Sequence, residues 1–211
     1  MQSKMSKDKG KNLKKYKEDM KKIQGSGITH LILKWCILGK HVGKNGIIEF
    51  VENLKGSGIR VLDLDGNELG KYLGKDGMIT LAKTLKGSGV RSLDLGSNEL
   101  GEYLGKDGMI AFAKALGGSE IRSLNLGSNE LGEYLGKDGL IAFAKVLEGS
   151  GIRYLDLYWN KLGRHLTKNE IIEFAKMLRG SGVRNVNLFN NKLSKVLKEE
   201  LETILDIDII T

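Results

Sequence analysis

The sequence predicts an α/β solenoid, in which short parallel strands alternate with helices and each unit packs only against its neighbours. Two observations predict this fold class. The phrase Gly-Ser-Gly-Ile/Val-Arg recurs with small variations every 31 residues, beginning at Gly25, Gly56, Gly87, Gly118, Gly149 and Gly180. Within each copy, leucines at strand spacing are followed by apolar residues at helical spacing.

The first half of each copy has the spacing of a short strand. Leu93 and Leu95 are two residues apart, so they share one face of a strand and point into the core. Asn98 follows at the turn, where a buried amide can bond the backbone of its own repeat and of the adjacent one. Cys36 holds this position in the first copy, and we predict a structural role for it because a compact thiol tolerates burial.

The second half of each copy has the spacing of an amphipathic helix. In the second copy we predict Asp76 as the N-cap. The apolar residues that follow on one helical face are Met78, Leu81, Ala82 and Leu85. Gly87 then stands where a helix end prefers a left-handed residue. Between strand and helix, residues 102–106 are predicted to form an inserted loop.

The repeat resembles the ribonuclease-inhibitor-like class of leucine-rich repeat proteins. The frame Leu-x-x-Leu-x-Leu-x-x-Asn-x-Leu carries the resemblance, which covers residues 25–193, and residues 90–98 are close to the strand wording of that class. The resemblance implies a horseshoe arc with a parallel β-sheet on the concave face and α-helices on the convex face. It also implies a module that binds a protein partner on its concave face. The repeat is a few residues longer than is usual in the class.

Lysines are concentrated at the start of the chain. Residues 1–24 hold nine lysines against three acidic residues, a net charge of +6 out of +8 for the whole chain. We predict a basic tail and cap helix over 1–24, six repeats over 25–193, and a capping helix with a short strand over 194–211. Because the repeats themselves are nearly neutral, we do not expect nucleic-acid binding.

Composition restricts the setting of the protein. No apolar run approaches the ~20 residues that span a bilayer, so membrane insertion is not expected. One cysteine, Cys36, excludes an internal disulfide framework and fits a reducing compartment. We therefore expect a cytoplasmic monomer, or an effector secreted without a cleavable hydrophobic signal.

Catalytic and cofactor motifs are not found. His41 and His165 share a repeat position with three tyrosines, which favours a ladder of rings over a metal site. The glycines lack P-loop spacing, so no nucleotide, metal or other cofactor and no small-molecule substrate is predicted. Some proteins of the resembled class activate small GTPases with polar residues along the concave rim, and the regularly spaced arginines are candidates for an arginine finger. The arginines recur in register at Arg60, Arg91, Arg122, Arg153 and Arg184, which is more typical of a scaffold.

Residues that break the repeat mark the candidate site. The predicted partner-binding residues are Tyr154, Asp156, Tyr158, Trp159, Phe189, Asn187, Asp94 and Asp63. Large aromatic residues beside polar groups are typical of interaction hot spots. The alternative is that these rings shield the last full repeat. A smaller candidate at the other end comprises His30, Ile32, Lys34 and Trp35, with Trp35 in the register of Trp159.

The predicted function is a non-catalytic protein–protein interaction module. Two alternatives remain open at this point. One is a regulator of a small GTPase or another enzyme, and the other is a structural or adhesive repeat array. The acidic members of the candidate site, Asp63 and Asp94, would attract a basic partner, although aspartate at this position is also common in the resembled class.

Overall fold

The computed structural model describes residues 2–4, 22–23, 25–205 and 208–210. Its described strands form one parallel sheet whose order follows the chain. They are β1 (Gln2–Lys4), β2 (His30–Ile32), β3 (Val61–Asp63), β4 (Ser92–Asp94), β5 (Ser123–Asn125), β6 (Tyr154–Asp156), β7 (Asn185–Asn187) and β8 (Asp208–Ile210). Register follows the sequence period, since Leu62, Leu93 and Leu124 are successive partners across the sheet.

A helical segment connects each strand from β2 onward to the next. The helices are α1 (Leu38–Glu52), α2 (Leu69–Thr84), α3 (Leu100–Leu116), α4 (Leu131–Val146), α5 (Leu162–His165), α6 (Lys168–Ser181) and α7 (Lys195–Leu205). The protein is therefore an open α/β array of repeating units, as the sequence predicts, and this arrangement is compatible with a solenoid. No helix within the described residues is long and apolar enough to cross a membrane.

The core lies between one face of the sheet and the helices. Leu93 and Leu95 of the strand region, together with Met109 and Phe112 of α3, are almost completely buried. Burial of each such side chain contributes about 2 kcal/mol. The side chains that alternate with these leucines, such as Asp94, lie on the opposite face and are partly exposed. Among the residues that the structure describes, the helices pack on the leucine side of the sheet, and the second face is the surface on which the candidate site lies.

A ladder of buried asparagines couples each repeat to the next. The Asn98 Oδ1 accepts the backbone N–H groups of Asn67 and Leu69 at 3.1 Å each. Its Nδ2 donates to the carbonyl oxygens of Leu64 at 3.0 Å and Gly96 at 2.8 Å. The same side-chain bonding to the neighbouring repeat recurs at Asn67, Asn129, Asn160 and Asn191.

The predicted inserted loop at 102–106 is wrong. Leu100 and Leu104 are both buried, and the chain between them is helical. Their i,i+4 spacing places both side chains against the core, which favours a helical turn over a loop. The helix is then broken at Gly105, whose φ of 59° and ψ of −171° lie in a region that glycine alone adopts readily.

The predicted N-cap at Asp76 is also wrong. The break before the long helical segment of α2 falls two residues earlier, at Gly74. Thr167 occupies the equivalent position in the fifth repeat and is the N-cap of α6, with Glu170 completing a capping box. Asp76 therefore lies in the first turn, where its carboxylate still complements the helix dipole. Gly87 has a φ of 74°, which confirms the predicted left-handed helix end.

The two ends of the sheet differ from the repeats between them. Strand β1 pairs in parallel with β2 and was not anticipated from the sequence. The cap helix predicted within residues 1–24 lies outside the described residues, which in this range are 2–4 and 22–23. At the other end, α7 and β8 lie in the segment where a helix and a short strand are predicted, and β8 pairs with β7.

Candidate functional site

Four aromatic side chains gather on the exposed face of the sheet at β6 and β7. We call Tyr154, Tyr158, Trp159 and Phe189 the aromatic cluster. Trp159 is 59% exposed and Phe189 is 48% exposed, whereas the two tyrosines are half-buried. Exposure of two large rings on a rigid sheet is the strongest feature of this face, because the equivalent turns of the middle repeats carry small residues.

Asp156 orders two residues of the aromatic cluster, Tyr154 and Tyr158. Its side chain is only 8% exposed. One carboxylate oxygen accepts the Tyr154 hydroxyl at 3.3 Å and the Asn187 Nδ2 at 2.9 Å, while the other accepts the Tyr158 backbone N–H at 2.9 Å. Burial, followed by the charge of Asp156, raises the pKa of Tyr154. Asp156 therefore orients its neighbours and presents little charge to solvent.

Two aromatic rings lie across glycines of an adjacent repeat. The Tyr158 ring covers Gly127, and the Trp35 ring covers Gly66, so neither glycine leaves room for a β-carbon. Each glycine is 31 residues from its ring, at the equivalent turn position of the neighbouring repeat. A glycine one repeat away from an aromatic residue in the sequence could therefore have predicted this packing.

Trp35 and Trp159 stand at backbone positions that disfavour large side chains. Their φ angles are 58° and 54°, in the left-handed region. The equivalent left-handed residues of the other repeats are Gly66, Ser97, Ser128 and Asn190. A bulky residue in this region costs on the order of 1 kcal/mol relative to glycine. Because Trp35 is 52% exposed and Trp159 is 59% exposed, core packing does not explain either ring.

Carboxylates gather at the other end of the same face. Asp63, Asp65 and Asp94 form what we call the acidic centre, in which Asp63 and Asp94 are direct partners on β3 and β4. Lys34 supplies the nearby positive charge, with its Nζ 3.4 Å from Asp65 and 3.9 Å from Asp63. Asp65 is only 7% exposed, and its Oδ1 has no hydrogen-bond partner. One ammonium among three carboxylates leaves the acidic centre negative.

Burial and the close spacing of charges in the acidic centre shift the pKa values of Asp94 and Lys34. Burial, and then the charges of Asp63 and Asp65, raise the pKa of Asp94. Partial burial by itself would lower the pKa of Lys34. The negative charges of Asp63 and Asp65 together have the larger effect, so the pKa of Lys34 is raised. Asp63 and Asp94 are predicted site residues, whereas Asp65 and its ion pair with Lys34 emerge only from the structure.

Asp94→Asn is expected to stabilise the protein by about 1 kcal/mol at neutral pH. The change removes a cross-strand repulsion and allows an amide to donate to Asp63, as Asn187 donates to Asp156. This gain outweighs the weakened hydrogen bond from Asn125, because the surroundings of Asp94 on balance favour its neutral form. Because the pKa of Asp94 is raised, the folded state holds the proton more tightly than the unfolded state. Stability therefore falls as pH rises from the ordinary aspartate pKa through the raised one.

Urea unfolding across this pH window checks the prediction. The free energy of unfolding should fall less steeply with pH in the Asp94→Asn variant than in the parent. The control is Asp107→Asn, which removes an exposed carboxylate on α3 and should keep the slope of the parent. Parent and Asp94→Asn curves with the same slope would contradict the prediction.

A shallow acidic hollow follows the strands at the turns. It has a volume of about 200 Å³ and is lined by Ser97, Glu99, Glu102, Ser128, Asn129 and Glu130. Burial, and then the charge of Glu68, raise the pKa of Glu99, although Lys71 opposes them. Lys161 pairs with Glu130, but no basic group of the described chain lies within ion-pair distance of Glu99 or Glu102. The acidic character of the face therefore continues onto its rim.

Two of the repeated arginines bind the backbone of the next repeat, whereas Arg122 donates to the carbonyl oxygens of Ser119 and Ile121 in its own repeat. Arg60 Nη1 donates to the Gly89 carbonyl at 3.2 Å, and Arg153 Nη1 donates to the Gly182 carbonyl at 2.9 Å. These contacts give Arg60 and Arg153 a role in joining repeats. Within the residues that the structure describes, no group of three or more His, Cys, Asp and Glu side chains is arranged to hold a metal ion.

Comparison with known protein families and curated proteins gives no indication of function, so the proposed function depends on the geometry of the site. No protein-family model matches the sequence. No curated protein is significantly similar to it either. The candidate site consequently rests on the aromatic cluster, the acidic centre and the two left-handed tryptophans, all on one exposed face of the sheet.

Proposed function

We propose that this chain is a non-catalytic protein–protein interaction module that binds a protein partner on the exposed face of its sheet. The observation that carries the proposal is the pair of exposed rings, Trp159 and Phe189, held on a rigid strand framework. Aromatic side chains of this kind dominate the binding energy of protein interfaces. The buried hydrogen bonds of Asp156 pre-order the neighbouring tyrosine and turn, which lowers the entropy cost of binding.

We propose further that the array is a leucine-rich repeat horseshoe of the ribonuclease-inhibitor-like class. The leucine spacing, the parallel sheet and the asparagine ladder support this assignment. Strands stack about 4.8 Å apart, whereas packed helices need about 8–10 Å. A layer of strands joined to a layer of helices therefore curves with the sheet on the inside, which makes the candidate site concave.

The contacts of the arginines favour binding over catalysis. An arginine finger has to reach out to a nucleotide, whereas Arg60 and Arg153 are engaged with backbone carbonyls of their own array. The role that we assign to these side chains is to join repeats, and the role of the sheet is to present the aromatic cluster.

A combined Trp159→Ala and Phe189→Ala variant is expected to bind the partner at least about a hundredfold more weakly. Each buried aromatic anchor contributes roughly 2 kcal/mol to affinity, and both rings are on the proposed interface. The measurement begins with affinity capture from the source cell. The binding constant of the purified partner is then determined by calorimetry for the parent and the variant.

The matched control is a Tyr103→Ala and Tyr134→Ala variant. These rings are also exposed, at 40% and 37%, but they lie on α3 and α4 outside the exposed face of the sheet. We expect this control to keep the affinity of the parent. Equal affinity of the parent and the Trp159/Phe189 variant would refute the proposed site.

A further inference from the structure

We infer that the partner presents a basic, extended segment that crosses the acidic centre and contacts Trp35 and Trp159 with its two ends. This inference rests on the proposed function and names the chemistry of the partner. It follows from three observations on the exposed face: two strained and exposed tryptophans, an excess of negative charge between them, and an internal lysine that already occupies part of the acidic centre.

The tryptophans define the two ends of the surface. Trp35 follows β2 and Trp159 follows β6, at the same position of their repeats. Both adopt a left-handed backbone that the other repeats give to small or amide-bearing residues. The Trp35 ring packs on the turn at Gly66 with one face, yet about half of each tryptophan remains exposed at a strained position, which points to a role in contact with a ligand. Four strand spacings of about 4.8 Å place the rings about 19 Å apart.

The charge between the tryptophans identifies the ligand as basic. The chain as a whole has a net charge of +8. The acidic centre nevertheless has three carboxylates against Lys34, and Glu99 and Glu102 on the rim have no basic partner among the described residues. A local potential opposite in sign to the net charge attracts a partner of complementary charge to this face.

Lys34 shows how a cation binds the acidic centre. Its ammonium lies between Asp63 and Asp65 while its side chain stays about half exposed. Asp65, although more than nine-tenths buried, still has an Oδ1 without a hydrogen-bond partner. Lysine or arginine groups of a partner would pair with the same carboxylate oxygens that Lys34 contacts, and Lys34 is then an internal competitor for them. The buried Asp65 Oδ1 adds negative charge behind these oxygens.

The distance between the rings sets the length of the segment. An extended chain advances about 3.3 Å per residue, so about six residues separate the two contacts. The segment therefore carries lysine or arginine in its middle and an apolar or arginine side chain near each end, since both kinds of side chain pack favourably on indole.

The test measures binding of labelled peptides to the full chain by fluorescence anisotropy. The probe is a peptide of about nine residues with lysine and arginine between two leucines, and its control replaces every basic residue by glutamate. We expect the basic peptide to bind at least about tenfold more tightly and to lose affinity as salt is added. Indistinguishable binding of the two peptides, or no binding of either, overturns the inference.

Variants of the chain locate the contact. We expect about tenfold weaker binding for Asp63→Asn with Asp94→Asn, and for Trp35→Asn with Trp159→Asn, but tighter binding for Lys34→Met. Asparagine adopts the left-handed backbone, as Asn190 does, so Trp159→Asn is expected to keep the melting temperature of the parent. The control, Glu199→Gln with Glu202→Gln on α7, removes two carboxylates away from the face and leaves affinity unchanged. Unchanged affinity in the Asp or Trp variants overturns the inference.

Other occupants give different results. If the parent sediments as a dimer that the Trp35→Asn and Trp159→Asn changes dissociate, the occupant is a second copy and the inference fails. If a captured partner depends on Trp159 and Phe189 but is not displaced by the basic peptide, the inference fails while the proposed function stands. If the affinity of a captured partner is unchanged in all of these variants, both the inference and the proposed binding site are refuted.

Discussion

Asn129→Ala is expected to lower the free energy of unfolding by about 4 kcal/mol. The side chain is fully buried, and its Oδ1 accepts the N–H groups of Asn98 at 3.1 Å and Leu100 at 3.0 Å. Its Nδ2 donates to the carbonyl oxygens of Leu95 at 2.9 Å and Gly127 at 3.0 Å. Alanine leaves these groups buried without partners, at about 1–3 kcal/mol for each group that no water reaches.

Urea unfolding followed by circular dichroism measures this loss. Because the orphaned groups belong to two adjacent repeats, we also expect a broader transition as the array separates at this boundary. The control is Asn53→Ala at the end of α1, where an exposed amide donates to Glu49 and the loss should stay within about 1 kcal/mol. A loss at Asn129 no larger than at Asn53 would show that the ladder does not join the repeats.

Gly101→Ala is expected to destabilise the protein by at least about 3 kcal/mol. The Gly101 N–H donates to the Asn129 carbonyl at 3.0 Å, so the two backbones are in direct contact. A β-carbon at Gly101 would lie 2.5 Å from that oxygen, which is closer than real contacts allow. The equivalent glycines, Gly70, Gly132 and Gly163, approach the next repeat in the same way. An added methyl group therefore forces adjacent repeats apart.

Gly180→Ala is the matched control for this change. Gly180 lies in the last turn of α6, its φ is not left-handed, and no atom lies within 4 Å of a β-carbon built there. Alanine should stabilise this helix by about 0.5–1 kcal/mol because it loses less backbone entropy on folding. Similar thermal denaturation midpoints for the two variants would contradict the close approach at Gly101.

Periodicity made the elements predictable, and local chemistry limited how accurately their ends could be placed. Leu93 and Leu95 specify a strand because their two-residue spacing is a local property of the chain. The helix start was misplaced because Asp76 is a strong N-cap residue type, while the break occurs at Gly74, whose unusual backbone has no side-chain signature. The helical turn around Leu104 was missed because the extra length of the repeat was interpreted as an inserted loop, whereas the additional residues form a helical turn that buries Leu104.

The residues of the candidate site could be predicted from the sequence, but the contacts between them could not. Tyr158 and Trp159 were identifiable because they replace small residues in an otherwise uniform repeat. Their different roles, with Tyr158 packed over Gly127 and Trp159 exposed, depend on which direction each side chain takes at the turn. The ion pair of Lys34 with Asp65 joins two repeats and has no counterpart in the repeat pattern.

The amino-acid sequence by itself determined the repeat, the parallel order of strands and helices, and the residues that depart from the repeat. Only the tertiary structure decided which of these residues face solvent. Asp156 and Trp159 are three residues apart, yet their exposure differs. The Asp156 side chain is buried and hydrogen-bonded to Asn187 of the next repeat, whereas the Trp159 ring is exposed. The physical reason is that periodic patterns report backbone geometry, whereas burial depends on side chains brought close from repeats 31 residues away.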